Sequence, residues 1–186
     1  MVVQLTRRRF TVSEYEQMAQ AGILDEDDRV ELIDGEVIEM TPIGPRHAGC
    51  VNRLSDLMFS KFRSLATVSP QNPVIIGEYT ALQPDLALLR HRPDFYASSH
   101  PKPSDVLLLV EVADSSVARD RHVKMPLYAQ SGIPEVWLVD MEQESITVYR
   151  EPVNGGYRTA QVLRRGDKLA PAAFPSRKLS VADILG

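Results

Sequence analysis

Polar and apolar positions repeat with two different periods along the chain, and the changes between them mark the elements. Thr11 is placed to cap a helix, with Glu14 three residues on and Phe10 and Tyr15 set for a hydrophobic staple. The spacing predicts a helix from Val12 to Ala21, stopped at Gly22. Val30 to Ile33 and Glu36 to Met40 are β-prone runs on either side of Asp34-Gly35, a strong hairpin signal. A two-residue loop pairs Ile33 with Glu36 and Glu31 with Ile38, which leaves Glu31 half buried on a partly apolar face. From Arg46 to about Leu65 the period is helical, with His47, Val51, Leu54, Met58, Phe62 and Leu65 on one stripe.

Beyond that helix the runs are short. Val74 to Tyr79, Asp85 to Leu89 and Val106 to Val112 read as strands, the last so continuously apolar that it fits a strand covered on both faces. A polar helical segment from Ala118 to Gln130 ends at Ser131-Gly132, and a strand from Glu135 to Val139 follows. Ser145 to Tyr149 and Tyr157 to Leu163 close the pattern as a hairpin turning at Gly155-Gly156. The Pro-rich stretches at Pro101 to Pro103 and Pro171 to Pro175 read as loops, not linkers, and no repeat is visible. The expectation is one α/β domain over residues 1–186 with a mixed central sheet.

Composition narrows the class. With 186 residues, 44% apolar and 25% charged, the chain is an ordinary globular one, not a coiled coil, collagen or a disordered polymer. No apolar run approaches the ~20 residues of a membrane span. One cysteine, Cys50, rules out a disulfide framework and points to the cytoplasm. Thr6-Arg7-Arg8-Arg9-Phe10 looks like an export signal, but Ser13, Glu14, Glu16 and Gln17 follow where an apolar stretch is required. The net charge of −4 argues against a generic basic nucleic-acid binder.

Three polar residues interrupt the apolar framework. Pro84-Asp85 opens a strand, Glu111 lies near the end of the most apolar strand, and Lys124 lies on the helix that follows. Alternation places Leu107, Leu109 and Glu111 on one face, and Asp85, Ala87 and Leu89 on another. If the two strands are neighbours, Asp85 and Glu111 meet at their ends. Carboxylates that meet in a poorly solvated place repel, and a divalent cation relieves the repulsion; oxygen ligands suit Mg2+ or Mn2+. A lysine nearby would hold the attacking water or stabilise developing charge. Each residue also has an ordinary reading: a strand start after proline, a solvent-facing strand end, and a surface pair of Lys124 with Asp120 one turn back. Their order and strand context favour a shared site.

The ordered set Pro84-Asp85, Glu111-Val112-Ala113 and Lys124 resembles the PD-(D/E)XK nuclease core. Together with Glu31-Leu32-Ile33-Asp34-Gly35-Glu36, His47, Gln83-Pro84-Asp85-Leu86, Tyr128 and Gly132 through Asp140, it is similar to the Uma-two family of restriction endonucleases. The resemblance implies a restriction-endonuclease-like fold, a mixed central sheet flanked by helices. It implies Asp85 and Glu111 as metal ligands with the Val112 carbonyl, Lys124 as the catalytic cation and Glu31 as an auxiliary carboxylate. It implies DNA as substrate and a homodimer as the working form. One position departs from the superfamily pattern: Ala113 stands where a lysine belongs, two residues after Glu111. The resemblance implies that Lys124 replaces it from the next helix, where Pro126 two residues later would kink the chain.

His47, Ser115 and Tyr128 are secondary candidates. His47 begins its helix, where the dipole favours a neutral imidazole. Ser115 shapes the turn after Glu111, within reach of a phosphate, and Tyr128 packs beside Lys124. Trp137 reads as core or dimer surface. The alternatives to a metal-dependent endonuclease are an inactive binding or assembly module that keeps the fold, and a metal-dependent hydrolase of another phosphoester. Basic residues are grouped at Arg7 to Arg9, Arg90 with Arg92, Arg119 with Arg121 and Lys124, and Arg164 with Arg165. The global charge therefore leaves DNA open as a partner, bound weakly and salt-sensitively until a cation neutralises the carboxylates.

Overall fold

The computed structural model describes residues 7–25, 27–114 and 116–186. Thr6, the first residue of the arginine-rich motif, and Ser115 lie outside the described residues. Helix α1 (Val12–Gln20) starts as its sequence dictates. The Thr11 side chain accepts from the Glu14 N–H and the Glu14 carboxylate accepts from the Thr11 N–H. Strands β1 (Val30–Ile33) and β2 (Glu36–Glu39) pair in the expected register, Ile33 with Glu36 and Glu31 with Ile38. Asp34 and Gly35 have φ of 54° and 84°, the double left-handed conformation that a two-residue turn needs. A Cβ on Gly35 would lie 2.5 Å from that of Arg9, so only glycine fits there.

Helix α2 (Pro45–Phe62) buries Cys50, Val51, Leu54, Met58 and Phe62. The expected stripe loses Leu65, which lies beyond the helix end and is exposed, and gains Cys50. Strands β3 (Thr67–Pro70), β4 (Val74–Gly77), β5 (Thr80–Leu82) and β6 (Leu86–Leu89) follow, then β7 (Val106–Ala113). The strand expected to reach Tyr79 stops at Gly77, and β5 is a separate three-residue strand, too short to show a period.

The segment expected as one helix is three pieces. They are α3 (Val117–Arg119), a π-helical stretch (Asp120–Lys124) and α4 (Met125–Gln130). The Met125 N–H bonds to the Asp120 carbonyl, five residues back, immediately before Pro126. Proline has no N–H, and its ring clashes with the carbonyl four residues earlier in a regular helix; the wider turn accommodates it. Strands β8 (Glu135–Asp140), β9 (Ser145–Val153) and β10 (Gly156–Arg164) complete the main sheet. The short pair β11 (Lys168–Leu169) and β12 (Leu179–Ser180) and helix α5 (Val181–Leu185) complete the chain, elements too short to carry a sequence signal.

The six-stranded sheet has the order β10-β9-β8-β7-β6-β3, and a four-stranded sheet has the order β2-β1-β5-β4. Only β7 and β8 are parallel in the larger sheet, as the intervening helical crossover requires. Side-chain alternation sorts the core into two layers. Leu86, Leu88, Leu108, Val110 and Val112 pack with α2 and α5, while Ala87, Leu89, Leu109 and Val136 pack with Met125 and Tyr128 of α4. Trp137 is fully buried, its indole N–H donating to Glu135 Oε1, so it is core and not a dimer surface.

Candidate active site

The site lies where β6 begins and β7 ends. In this antiparallel pair Ala87 faces Leu109 and Leu86 faces Val110, which carries Asp85 to the level of Glu111. The two carboxylates line one cavity of about 210 Å3, together with Glu31, Val112, Asp120 and Lys124.

Glu111 projects from the β7 face that looks toward α4. It is buried, and both its oxygens lie 3.3 Å from the Lys124 ammonium. Its Oε1 also accepts a 2.5 Å hydrogen bond from the Tyr128 hydroxyl. Burial pushes its carboxyl well above the ordinary value; Lys124 opposes this, and Asp120, Asp85 and Glu31 add to it. The same burial and the Glu111 carboxylate push the Tyr128 phenol well up.

Lys124 is 5% exposed, with its Nζ 3.0 Å from Glu31 Oε1. Burial favours its neutral form, but Glu111, Glu31 and Asp120 more than offset that, so its pKa is raised and it stays charged. The relocated lysine therefore reaches the space beside Glu111, from the last residue of the π-helical stretch.

Glu31 is 2% exposed, not half buried as the hairpin pattern suggests, because its carboxylate meets Gln83, Lys124 and Arg119 from other segments. Its Oε1 accepts from the Gln83 N–H at 2.8 Å as well as from Lys124. Its Oε2 is buried without a hydrogen bond, 3.5 Å from Arg119 Nη2.

Asp85 Oδ2 accepts from the Val112 N–H at 2.8 Å and lies 3.1 Å from His47 Nε2. This reverses the expected downward shift of the imidazole: the bond to Asp85 raises the His47 pKa, outweighing burial. His47 Nδ1 is buried without a partner.

Asp120 and Arg119 also line the cavity, beyond the residues the sequence pattern predicts there. Asp120 is buried and bonded to the Ser116 hydroxyl at 2.7 Å, not paired with Lys124 on the surface. Burial raises its pKa. The four-residue spacing of Ser116, Asp120 and Lys124, one face of a helix, is the signal that could have shown them together.

The donor set fits a hard dication. Three buried carboxylates, Glu31, Glu111 and Asp120, surround a single ammonium, and one Glu31 oxygen has no hydrogen bond. Among the described residues no three His, Cys, Asp or Glu side chains form a ready metal cage. Two carboxylates and a main-chain carbonyl, with the remaining positions left to water or substrate oxygens, is the manner in which Mg2+ is commonly held.

A mixed sheet whose adjoining strand ends carry paired carboxylates, with a lysine supplied from the crossover helix, defines a restriction-endonuclease-like α/β protein. The chain belongs to the Uma2 family, described as "Putative restriction endonuclease", whose model matches residues 12–182. No curated protein matches it. Its fold is similar to that of a crystal structure described as "a putative nuclease belonging to DUF820" from Anabaena variabilis, with a TM-score of 0.71 and 18% identity. That match covers 95% of this chain and 97% of the other.

Proposed function

We propose that the protein is a metal-dependent endonuclease that hydrolyses DNA phosphodiester bonds. The observation that carries this reading is the Lys124 ammonium, 3.3 Å from both oxygens of Glu111 in the cavity that Asp85 also lines. Asp85, Glu111 and the Val112 carbonyl are the residues that would hold Mg2+ or Mn2+. Such an ion supplies Lewis-acid charge for a phosphate oxygen and acidifies water.

The chain's own groups divide the remaining work. The Val112 N–H and His47 hold Asp85 in one orientation, and Tyr128 holds Glu111. Glu31, itself fixed by the Gln83 N–H, anchors Lys124. Lys124 keeps its proton and faces the charge that develops on the phosphate. Arg29 and Arg119 line the same cavity, so cationic groups meet the DNA backbone locally although the chain is acidic overall.

Plasmid DNA incubated with the protein and Mg2+ or Mn2+ should be nicked or linearised, and EDTA should stop the reaction. Asp85→Ala, Glu111→Ala and Lys124→Ala should each abolish cutting while remaining folded by circular dichroism. Cutting at the wild-type rate by any of the three, prepared identically, overturns the assignment.

A further inference from the structure

The lining of the cavity is of two kinds. Beside the carboxylates and Lys124, the loop between β2 and α2 contributes apolar Met40, Pro42 and Ile43. Thr41, Pro42 and Ile43 are exposed, Ile43 by 40%. Among the described residues, Ile43 is the only large exposed hydrophobic side chain that lines this cavity. The loop is held by its main chain and not by burial. The Met40 N–H bonds to the Arg29 carbonyl at 2.8 Å, Arg29 Nη1 donates to the Thr41 carbonyl at 3.3 Å, and Arg119 Nη1 donates to the Glu39 carbonyl at 3.0 Å. Pro42 and Pro45 fix their own φ angles and restrict the residues before them. Gly44 is the N-cap of α2, and His47, four residues after Ile43, meets Asp85. The apolar rim is thereby fixed relative to the carboxylates.

We propose that Ile43 packs on the face of a nucleobase next to the phosphate under attack, and so directs the protein to DNA in which that base is unpaired. The inference rests on the nuclease reading and deepens it by naming the form of the substrate. At about 210 Å3 the cavity is smaller than the roughly 300–1,000 Å3 of pockets that enclose a whole small-molecule ligand. It has room for a phosphodiester group and leaves the adjoining bases at the rim, where Ile43 stands. Isoleucine has no donor or acceptor, so it cannot read the polar edges that paired bases show in a groove; a paired base offers it only the thymine methyl. Its larger apolar complement is the flat face of a base, which a stacked duplex hides. Aliphatic side chains reach that face as wedges between base steps, and the unstacking costs least where the base is mismatched or single-stranded. A loop already fixed by two prolines and three hydrogen bonds loses little freedom in making the contact. Arg29 and Arg119, which fasten the loop, line the same cavity, so the base contact comes with cations for the neighbouring phosphates.

Cutting with Mn2+ is timed on one oligonucleotide in two forms, fully paired and with an internal mismatched bubble. The bubble form should be cut roughly tenfold faster, at the bubble. Ile43→Ala should cut the two forms at similar rates, and Ile43→Leu, which keeps a large apolar side chain, should retain the preference. The contact itself is read without catalysis, in EDTA. Ile43→Cys is mixed with bubble DNA that carries a tethered mixed disulfide on an unpaired base; thiol exchange should join protein to DNA and release the small thiol. Phe59→Cys, at an exposed apolar position outside the cavity, should not react comparably, and the native Cys50 is buried. Cross-linking at Ile43→Cys with no cutting of either form would sink the nuclease reading and leave the base contact standing. Four results overturn the inference whether or not DNA is cut: equal wild-type rates on the two forms, an unaltered preference in Ile43→Ala, a preference set by paired thymines instead of the bubble, or cross-linking no greater than that of Phe59→Cys.

Discussion

The Tyr128 hydroxyl donates to Glu111 Oε1 over 2.5 Å, from the turn of helix that follows Lys124. A single helical segment thus supplies both groups that fix the buried carboxylate, one neutral and one charged. Hydrogen bonds to ionised groups contribute about 1.5–3 kcal/mol, and groups that orient metal ligands are typically worth 10–100-fold in metal affinity. Tyr128→Phe should therefore unfold at lower urea concentration and bind Mn2+ roughly tenfold more weakly by calorimetry. An unchanged Mn2+ affinity would separate Tyr128 from the site.

Lys124 neutralises more than one carboxylate, so removing it should harm the fold as well as the chemistry. Lys124→Met leaves Glu111 and Glu31 buried without their cation, a change of the kind that costs about 3–5 kcal/mol. Adding Glu111→Gln removes one of the stranded charges. The double variant should be more stable than Lys124→Met alone, although neither cuts DNA. Additive urea midpoints for the two substitutions would contradict a direct Lys124–Glu111 coupling.

Much of this arrangement was readable in the sequence because it rests on strand alternation and on short local signals. The Thr11 capping box and the Asp34-Gly35 hairpin follow from spacing of a few residues, and strand alternation gives the faces of Asp85 and Glu111, whose common level then needs the pairing of β6 with β7. What the sequence hid depends on contacts between distant segments. The depth of Glu31 is set when β5 pairs with β1 and brings the Gln83 N–H to it. The proton affinity of His47 is set by Asp85, 38 residues away, and not by its own helix. The aim of Lys124 depends on the π-helical stretch before Pro126; helical periodicity shows the proline as an interruption but not how the chain absorbs it.

The raised pKa values fix the sign of the pH response. Burial raises Glu111 and Asp120 above their ordinary values of 4.5 and 3.8, and the Asp85 hydrogen bond raises His47 above 6.5. Each group holds its proton more tightly folded than unfolded. Such a group contributes stability in full below its unfolded pKa and loses it as pH rises through its folded pKa. All three act in the same direction. In EDTA the melting temperature should rise as pH falls from about 8 to about 5.5, and Glu111→Gln should flatten the rise. Saturating Mn2+ should reverse the trend, since it favours the ionised carboxylates. A melting temperature that is flat or falls over that interval in EDTA would contradict the assignment of these protons.

Glu135, a buried carboxylate outside the cavity, should behave in the opposite way to the site residues. Its Oε1 accepts from the Trp137 indole and from Arg150 at 2.7 Å each, and its Oε2 accepts from the Ala172 N–H. It begins β8 and ties that strand to β9 and to the Pro171–Pro175 loop, away from the cavity. Glu135→Ala strands a buried indole N–H and a backbone N–H and frees Arg150 from its partner. Each unsatisfied donor costs about 1–3 kcal/mol, so the loss should exceed about 3 kcal/mol in urea unfolding. Glu135→Gln keeps an acceptor and should lose less. At a temperature where Glu135→Ala is still folded, its Mn2+ affinity should match wild type. A tenfold weaker affinity in the folded variant would show that Glu135 reaches the site, and that the separation between the structural and the chemical carboxylates does not hold.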